Sequence, residues 1–282
     1  MFDGQLGQWT GKPYELELKA GATPYHSRPF ALPKCYEKTL RKEVEWLCKI
    51  GVLRRVNRSE WGATTFIIPK KDQSVRFISD FRELIKRIKR KPYPIPRIQY
   101  LLLKLEGFTY ATSLDLNMGY YYIELSPLSK EMCTIVLPWG KYEYQKLPMG
   151  LCNSPYIFQE KMSTLFHDLE SVRAYIDDLL VLGTCTWEEH LVQLEEVLTR
   201  LHKAGLKVNA KKSFFGHHEL EYLGYCITHE GVMPIPKKVQ GIQDIVTPTT
   251  KKHLRCFICM VNYYRDMWVR CSETLAPLTS LT

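Results

Sequence analysis

The feature that most constrains this chain is the tetrapeptide Tyr175-Ile176-Asp177-Asp178. It joins one largely apolar run, residues 172–176, to another, residues 179–182. Two short apolar runs around a polar pair read as strands joined by a tight turn, with both acids at the turn. Adjacent like charges repel, so a hairpin that keeps both needs solvent or a cation to offset them. A third acid, Asp115, lies in Ser113-Leu114-Asp115-Leu116, another strand-like segment. Three carboxylates at the ends of neighbouring strands offer the hard oxygen donors that two Mg²⁺ ions require for phosphoryl transfer. Taken alone, Asp-Asp is more often a hydrophilic turn, and the reading rests on the segments around it.

Length and charge narrow the classes. At 282 residues, with 45% apolar and 12% aromatic residues, the chain has material for a multi-lobed body with a substantial core and is not a disordered segment. The formal charge of +9 suits an anionic partner, of which nucleic acid is the usual one. The excess is concentrated: Arg82, Lys86, Arg87, Lys89, Arg90 and Lys91 fall within ten residues. Such a run is either a solvated helix face or a contact for phosphates. Nine scattered cysteines point to reduced thiols and an intracellular setting. His253, Cys256 and Cys259 stand three apart, one ligand short of a zinc site. Residues 1–11 lack the basic start and apolar core of a signal peptide. No apolar run is long enough to span a bilayer, so no membrane is expected as a partner.

Periodicity sketches the elements. Residues 14–20 alternate as a strand does. Leu40, Val44, Leu47 and Ile50 recur at helical spacing, with Gly51 as the stop. Residues 64–69 and 75–79 form a hairpin across the polar stretch 70–74. A helix is predicted over 96–106, and a second hairpin over 135–137 and 142–144. Ser154 is predicted to cap a helix with Pro155 at its start and Phe158, Met162, Leu165, Phe166 and Leu169 as its buried stripe. Thr186 and Glu189 form a capping box for a helix burying Leu191, Leu194, Leu198 and Leu201, which Gly205 ends. Two strands follow, the second ending near Ile227. From Pro234 the pattern is helical and basic, with Lys251, Lys252 and Arg255 opposite Leu254, Phe257, Ile258 and Val261. The fold class is α+β.

Seven segments, in order, resemble reverse transcriptases, specifically the polymerase of gypsy-type long-terminal-repeat retrotransposons. Val75-Arg76-Phe77-Ile78-Ser79-Asp80-Phe81-Arg82-Glu83-Leu84 resembles the fingers motif, and Tyr93-Pro94-Ile95-Pro96-Arg97-Ile98 the entry to the palm. Ser113-Leu114-Asp115-Leu116 with Gly119-Tyr120 is similar to the first catalytic motif. Leu147-Pro148-Met149-Gly150-Leu151-Cys152-Asn153-Ser154-Pro155, then Phe158-Gln159, is similar to the template and nucleotide motif. The tetrapeptide at 175 matches the second catalytic motif. Tyr222-Leu223-Gly224-Tyr225 resembles the primer grip, and Val261-Asn262-Tyr263-Tyr264-Arg265 the thumb.

The resemblance covers residues 14–282. It implies a right-hand polymerase. Residues 1–92 would be an N-terminal extension and fingers, and 93–118 the first part of the palm. Residues 119–148 would return to the fingers, 149–230 would complete the palm, and 231–282 would form a partial thumb. It implies an RNA-directed DNA polymerase that extends a primer from dNTPs. Asp115, Asp177 and Asp178 would be catalytic, and with the main-chain oxygen of Leu116 would hold two Mg²⁺ ions, Mn²⁺ being a substitute. Lys70, Arg76, Tyr120, Met149 and Gly150 would contact the nucleotide, with Tyr120 excluding a ribose 2′-hydroxyl. Arg82, Lys86, Arg87, Lys89, Arg90, Tyr175, Tyr222, Leu223 and Gly224 would contact template or primer, and Lys211 would protonate pyrophosphate. Partners would be an RNA template, a DNA or RNA primer, dNTPs, and the protease, RNase H and integrase domains of a pol polyprotein. The place of action would be a cytoplasmic particle or the nucleus. Ile85, Tyr122 and Cys259 depart from the family's usual asparagine, histidine and glycine. An RNA-directed RNA polymerase would carry glycine where Ile176 stands. A retroelement relic that only binds nucleic acid is the alternative.

Overall fold

Leu40, Val44 and Leu47 are spaced to bury one stripe, and they do so on the first helix, α1 (Lys34–Lys49). Gly51, at φ +75°, ends it: the Val52 amide donates back to the Leu47 carbonyl at 2.9 Å. The computed structural model describes residues 2, 4–69, 75–103, 105, 107–184 and 186–282, with only the backbone described at 69, 75 and 76. After α1 come β1 (Leu53–Val56), β2 (Ala63–Pro69), β3 (Val75–Asp80), α2 (Arg82–Arg87), α3 (Ile98–Leu102) and β4 (Tyr110–Asp115). Next are α4 (Pro127–Met132), β5 (Thr134–Leu137), β6 (Gly140–Tyr144), α5 (Ser154–Leu165), β7 (Val172–Tyr175), β8 (Asp178–Gly183) and α6 (Trp187–Lys203). The last are β9 (Phe214–His217), β10 (Glu219–Tyr222), β11 (Tyr225–Thr228), β12 (Gly231–Pro234), α7 (Pro236–Gln243), α8 (Lys251–Asn262) and α9 (Cys271–Thr279).

Two compact units result. The first is Met1–Pro96, Leu114–Leu179 and Val192–Ser213; the second is Arg97–Ser113, Leu180–Leu191 and Phe214–Thr282. In the first, a five-stranded sheet runs β1-β6-β5-β2-β3, antiparallel except where β2 meets β5. All four residues of β5 are buried, as an apolar central strand requires. The β5–β6 turn is tighter than predicted: Leu137 faces Gly140, leaving only Pro138 and Trp139 between the strands. The predicted strand over 14–20 does not form. Tyr14 and Leu18 each make one isolated bridge, to Leu125 and Ile88, and the Leu16 amide donates to the Ser129 hydroxyl at 2.7 Å. A side chain has replaced a ladder neighbour, so the alternation in burial survives while the strand does not.

Helix α5 also departs from expectation at both ends. Asn153, not Ser154, occupies the cap position; the Ser154 hydroxyl donates to the Pro148 carbonyl at 2.7 Å and fixes the preceding loop. Phe158 and Met162 are buried, Phe166 caps the helix, and Leu169 lies beyond it. On α6 the capping box is present, with reciprocal bonds of 3.2 and 3.3 Å between Thr186 and Glu189. Its buried stripe is His190, Leu194, Val197 and Leu201; Leu191 is exposed.

In the second unit, the helix predicted over 96–106 spans only Ile98–Leu102, because Leu103 is already extended. Leu105, Phe108, Ala111, Leu180, Leu182, Leu220, Tyr222 and Ile227 form its core. Where two strands were predicted before Ile227, a three-stranded antiparallel sheet β10-β11-β12 extends to Pro234. A further four-stranded sheet has the order β7-β8-β4-β9. Among the described residues no helix is long and apolar enough to cross a membrane.

Candidate active site

All three acids fall in the first unit. Asp115 is the last residue of β4 and Asp178 the first of β8, while Ile176 and Asp177 form the two-residue turn after β7. Ile176 sits at φ +54°, a left-handed conformation that a β-branched residue resists. What holds it is Gln159 on α5. Its carbonyl accepts the Ile176 amide at 2.8 Å, and its amide donates to the Ala174 carbonyl at 3.1 Å and to Ser163 at 3.2 Å. Gln159 is 1% exposed. Sequence reading placed it in a motif without a role; a glutamine on an otherwise apolar helix face was the available signal.

Backbone bonds bring Asp115 to the turn. The Leu116 amide donates to the Asp177 carbonyl at 3.0 Å, and the Asn209 amide to the Asp115 carbonyl at 2.8 Å. The Asp115 amide donates to the Ser213 hydroxyl at 3.1 Å. Leu116 bridges Val208, but the bonds flanking that bridge are Asn209 to Asp115 and Asn117 to Lys207. The Leu116 carbonyl takes no part in them, which suits its expected use as a ligand.

The electrostatics follow from this convergence. Burial, then Asp177 and Asp115, push Asp178 up to about 6, with Lys212 opposing. Burial, with a further contribution from Asp115, also raises Asp177. A second missed residue is Lys212, whose ammonium lies 3.3 Å from Asp115 Oδ2. The neighbouring Lys211, singled out in the sequence, instead lines a recess with Phe2, Gly4 and Asn117.

Two half-buried carboxylates with raised proton affinity, Asp177 and Asp178, thus stand beside a third, Asp115, with Lys212 as a nearby positive charge. Among the described residues no group of three or more acidic, histidine or cysteine side chains is placed to hold a metal ion by itself. Mg²⁺ does not need one, because it keeps several waters and takes substrate phosphates alongside one or two carboxylates. Hard acid oxygens plus a main-chain carbonyl fit that ion.

Around the acids, Met118 and Gly119 both take positive φ and lead into a 3₁₀ turn, Gly119–Tyr122. Tyr120 packs edge-on to Phe158, with ring centroids 5.6 Å apart. Burial, Asp177 and Tyr175 push its hydroxyl up to about 12, so it stays neutral. Tyr122, one of the departures from the family pattern, is fully buried, donates to the Lys207 carbonyl at 2.8 Å and accepts its amide at 3.1 Å. Met149 is 52% exposed. Gly150 has φ +93°, a conformation that favours glycine, and a Cβ there would lie 3.2 Å from the Ser79 carbonyl, which would have to yield by a few tenths of an ångström. Tyr175 is half-buried. Lys70 and the Arg76 side chain lie outside the described residues.

The basic run is not bare. Arg82 forks onto Asp80, with its closest contact at 2.6 Å. Lys86 and Arg87 share Glu83 at 2.6 and 2.8 Å, and Lys89 and Lys91 share Glu17. Arg90 instead bonds the Tyr156 hydroxyl and lies over its ring. Tyr222, Leu223 and Gly224 belong to the second unit. There Leu223 (φ +47°) and Gly224 (φ +87°) make the two-residue turn between β10 and β11. Tyr225 stacks on Tyr263 at 5.6 Å and meets Tyr264 edge-on at 5.8 Å, so two motifs far apart in sequence pack together. Cys259 is exposed and lines an open recess of about 570 Å³ with Met260, Tyr263 and Tyr264, so its bulk crowds nothing.

Residues 68–227 match the family described as "Reverse transcriptase (RNA-dependent DNA polymerase)". The chain belongs to this family. It is 32% identical over 266 residues to the retrovirus-related Pol polyprotein from transposon opus of Drosophila melanogaster, covering 92% of this chain and 26% of that protein. This chain therefore spans about a quarter of that relative's length. Among solved structures, the foamy viral protease-reverse transcriptase with an RNA/DNA hybrid superposes with TM-score 0.88 at 26% identity, covering 99% of this chain and 37% of the other. Its dRH form with double-stranded DNA gives TM-score 0.91 at 26% identity, covering 99% and 49%. The α+β polymerase fold is thereby that of retroviral reverse transcriptases.

Proposed function

We propose that this chain is the polymerase part of a pol polyprotein from a gypsy-type long-terminal-repeat retrotransposon, an RNA-directed DNA polymerase that extends a primer from dNTPs. The observation that carries the reading is the convergence of Asp115, Asp177 and Asp178 on one turn, where burial and neighbouring acids raise the proton affinity of Asp177 and Asp178. When bound, two Mg²⁺ ions, or Mn²⁺ in their place, would supply activation of the primer 3′-hydroxyl and neutralisation of the triphosphate. Asp115, Asp177 and the Leu116 carbonyl are the residues to hold them, with Asp178 in support. Gln159 and Ser213 keep those groups in place. The Tyr120 ring excludes a ribose 2′-hydroxyl by bulk, and Met149 and Gly150 lie under the templating pair.

Lys70 and Arg76 are assigned to the triphosphate, and Lys211 to proton delivery, by resemblance. The run Arg82, Lys86, Arg87, Lys89 and Arg90, with Tyr175 and the Tyr222-Leu223-Gly224 turn, contacts template and primer. In this reading residues 1–92 and 119–148 are fingers, 93–118 and 149–230 palm, and 231–282 thumb. The eight described cysteines are free thiols, which supports an intracellular place of action in a cytoplasmic particle or the nucleus. The test is primer extension on an RNA template with the purified chain, dNTPs and Mg²⁺ or Mn²⁺. Extension that a chelator stops is expected. A folded chain that binds the primer–template and extends it with neither ion refutes the reading and favours a relic that only binds nucleic acid.

A further inference from the structure

A recess of about 550 Å³ opens in the first unit between α1, β1 and the β5–β6 hairpin, in the size range of small-ligand sites. One wall is a stack, the Arg41 guanidinium 4.1 Å from the Trp139 ring centroid and held there by two bonds it donates to Glu37 Oε1, at 2.8 and 3.0 Å. Tyr142, from β6, adds a second aromatic face. Three polar groups on the lining are uncommitted: among the described residues the Arg55 guanidinium, the Glu45 carboxylate and the Tyr142 hydroxyl make no hydrogen bond or ion pair. Such groups keep their donors and acceptors available to something from solution.

A ligand that satisfies all of them needs a flat face for the aromatic wall, an anion for Arg55 and N–H donors for Glu45. A nucleotide has each of these. A carboxylate also discriminates among bases. Guanine offers two adjacent donors, N1–H and N2–H₂, which a carboxylate accepts together, whereas the N–H of uracil sits between two carbonyl oxygens that repel it. We propose that this recess seats one base and its phosphate from a single-stranded nucleic acid, with a preference for guanine. Aromatic stacking combined with a cation on the backbone is how proteins hold single strands. None of these residues belongs to the acidic turn or the basic run, although the choice of nucleic acid rests on the polymerase reading.

The test is fluorescence anisotropy with labelled RNA dodecamers, G-rich and U-rich, on the intact chain and two variants. Arg55→Gln is expected to weaken binding of both oligomers by about tenfold, as loss of a charged hydrogen bond does. It should lower the salt slope by roughly 0.7, one single-strand phosphate. Glu45→Gln is expected to remove the preference for the G-rich oligomer and leave the salt slope unchanged. Parent-like affinity, preference and slope in both variants would overturn the proposal. Guanosine monophosphate is the second arm. If it displaces the dodecamer from the parent and binds as tightly as the dodecamer does, the recess takes free nucleotides and the single-strand assignment fails. Primer extension on a primer–template with a one-nucleotide template overhang, run in parallel, reports on the polymerase reading alone.

Discussion

Replacing Gln159 with leucine should disarm the acidic turn while leaving the core filled. Leucine keeps most of the buried volume, but it takes away the acceptor for the Ile176 amide and the donor to the Ala174 carbonyl. Each backbone group left without its partner costs about 1–3 kcal/mol, and the half-burial of the turn favours the low end, about 1 each. The left-handed conformation of Ile176 holds about another 1–2 kcal/mol of strain that those bonds oppose. The total of roughly 3–4 kcal/mol corresponds to a factor of about 10²–10³ in favour of a relaxed turn. Relaxation rotates Asp177 away from Leu116 and Asp115, so single-turnover primer extension should slow by on the order of 10², a little less than the full factor. Affinity for primer–template should be unchanged.

A second substitution makes the reasoning testable in the opposite direction. Glycine adopts the left-handed region without penalty, so Ile176→Gly in the Gln159→Leu background should recover about tenfold, the share assigned to strain. Thermal unfolding of each variant separates turn relaxation from global loss of structure. A folded Gln159→Leu protein with a rate within about threefold of the parent refutes the clamp. So does a double variant no faster than the single one.

Asp177→Asn should abolish extension while leaving nucleic-acid binding within about twofold, since one metal-facing charge is lost and no phosphate contact; a gel-shift titration beside the extension assay decides it. Tyr120→Val should admit ribonucleotides, and an unchanged deoxy-to-ribo preference would move the gate elsewhere. Replacing Lys86, Arg87, Lys89 and Arg90 with alanine should flatten the salt dependence of primer–template binding by about 1–2 units and not by four contacts' worth, because Glu83 and Glu17 already neutralise part of the run. An identical slope would show those residues to be a solvated face. Gly150→Ala should cost about 1–2 kcal/mol in urea unfolding, from positive φ and the approach of Ser79; an unchanged midpoint would mean that the loop yields.

What the sequence made legible was mostly what is local. The α1 stripe, the Thr186–Glu189 box and the acid-bearing hairpin are each written within a dozen residues, and each forms as read. The misses are places where a distant group intervened. Ser129 takes the amide that a strand at 14–20 would have given to a neighbour. Pro148 draws the Ser154 hydroxyl off the helix it was to cap. Lys207, more than eighty residues away in sequence, supplies two partners of the Tyr122 hydroxyl. That pairing explains why tyrosine is accommodated where the family commonly has histidine. No spacing rule contains such partners.

Charge was the least legible property, because net charge counts residues and not their neighbours. The +9 of this chain and its dense run at 82–91 suggest a cationic stripe, yet most of that run is tied to acids close in space. The densest clustering of like charge lies elsewhere and has the opposite sign. Asp115, Asp177 and Asp178 come from two segments some sixty residues apart, and Lys212 is a cation that reaches them. Surface ion pairs of the Glu83 and Glu17 kind are worth about 0–1 kcal/mol each, so an incoming phosphate can break them at small cost. A half-buried carboxylate pushed up to about 6 by burial and two neighbouring acids is a much stronger demand. Electrostatics therefore divides the labour: the exchangeable pairs of the basic run suit a substrate that slides, and the strained acidic turn suits an ion that must stay.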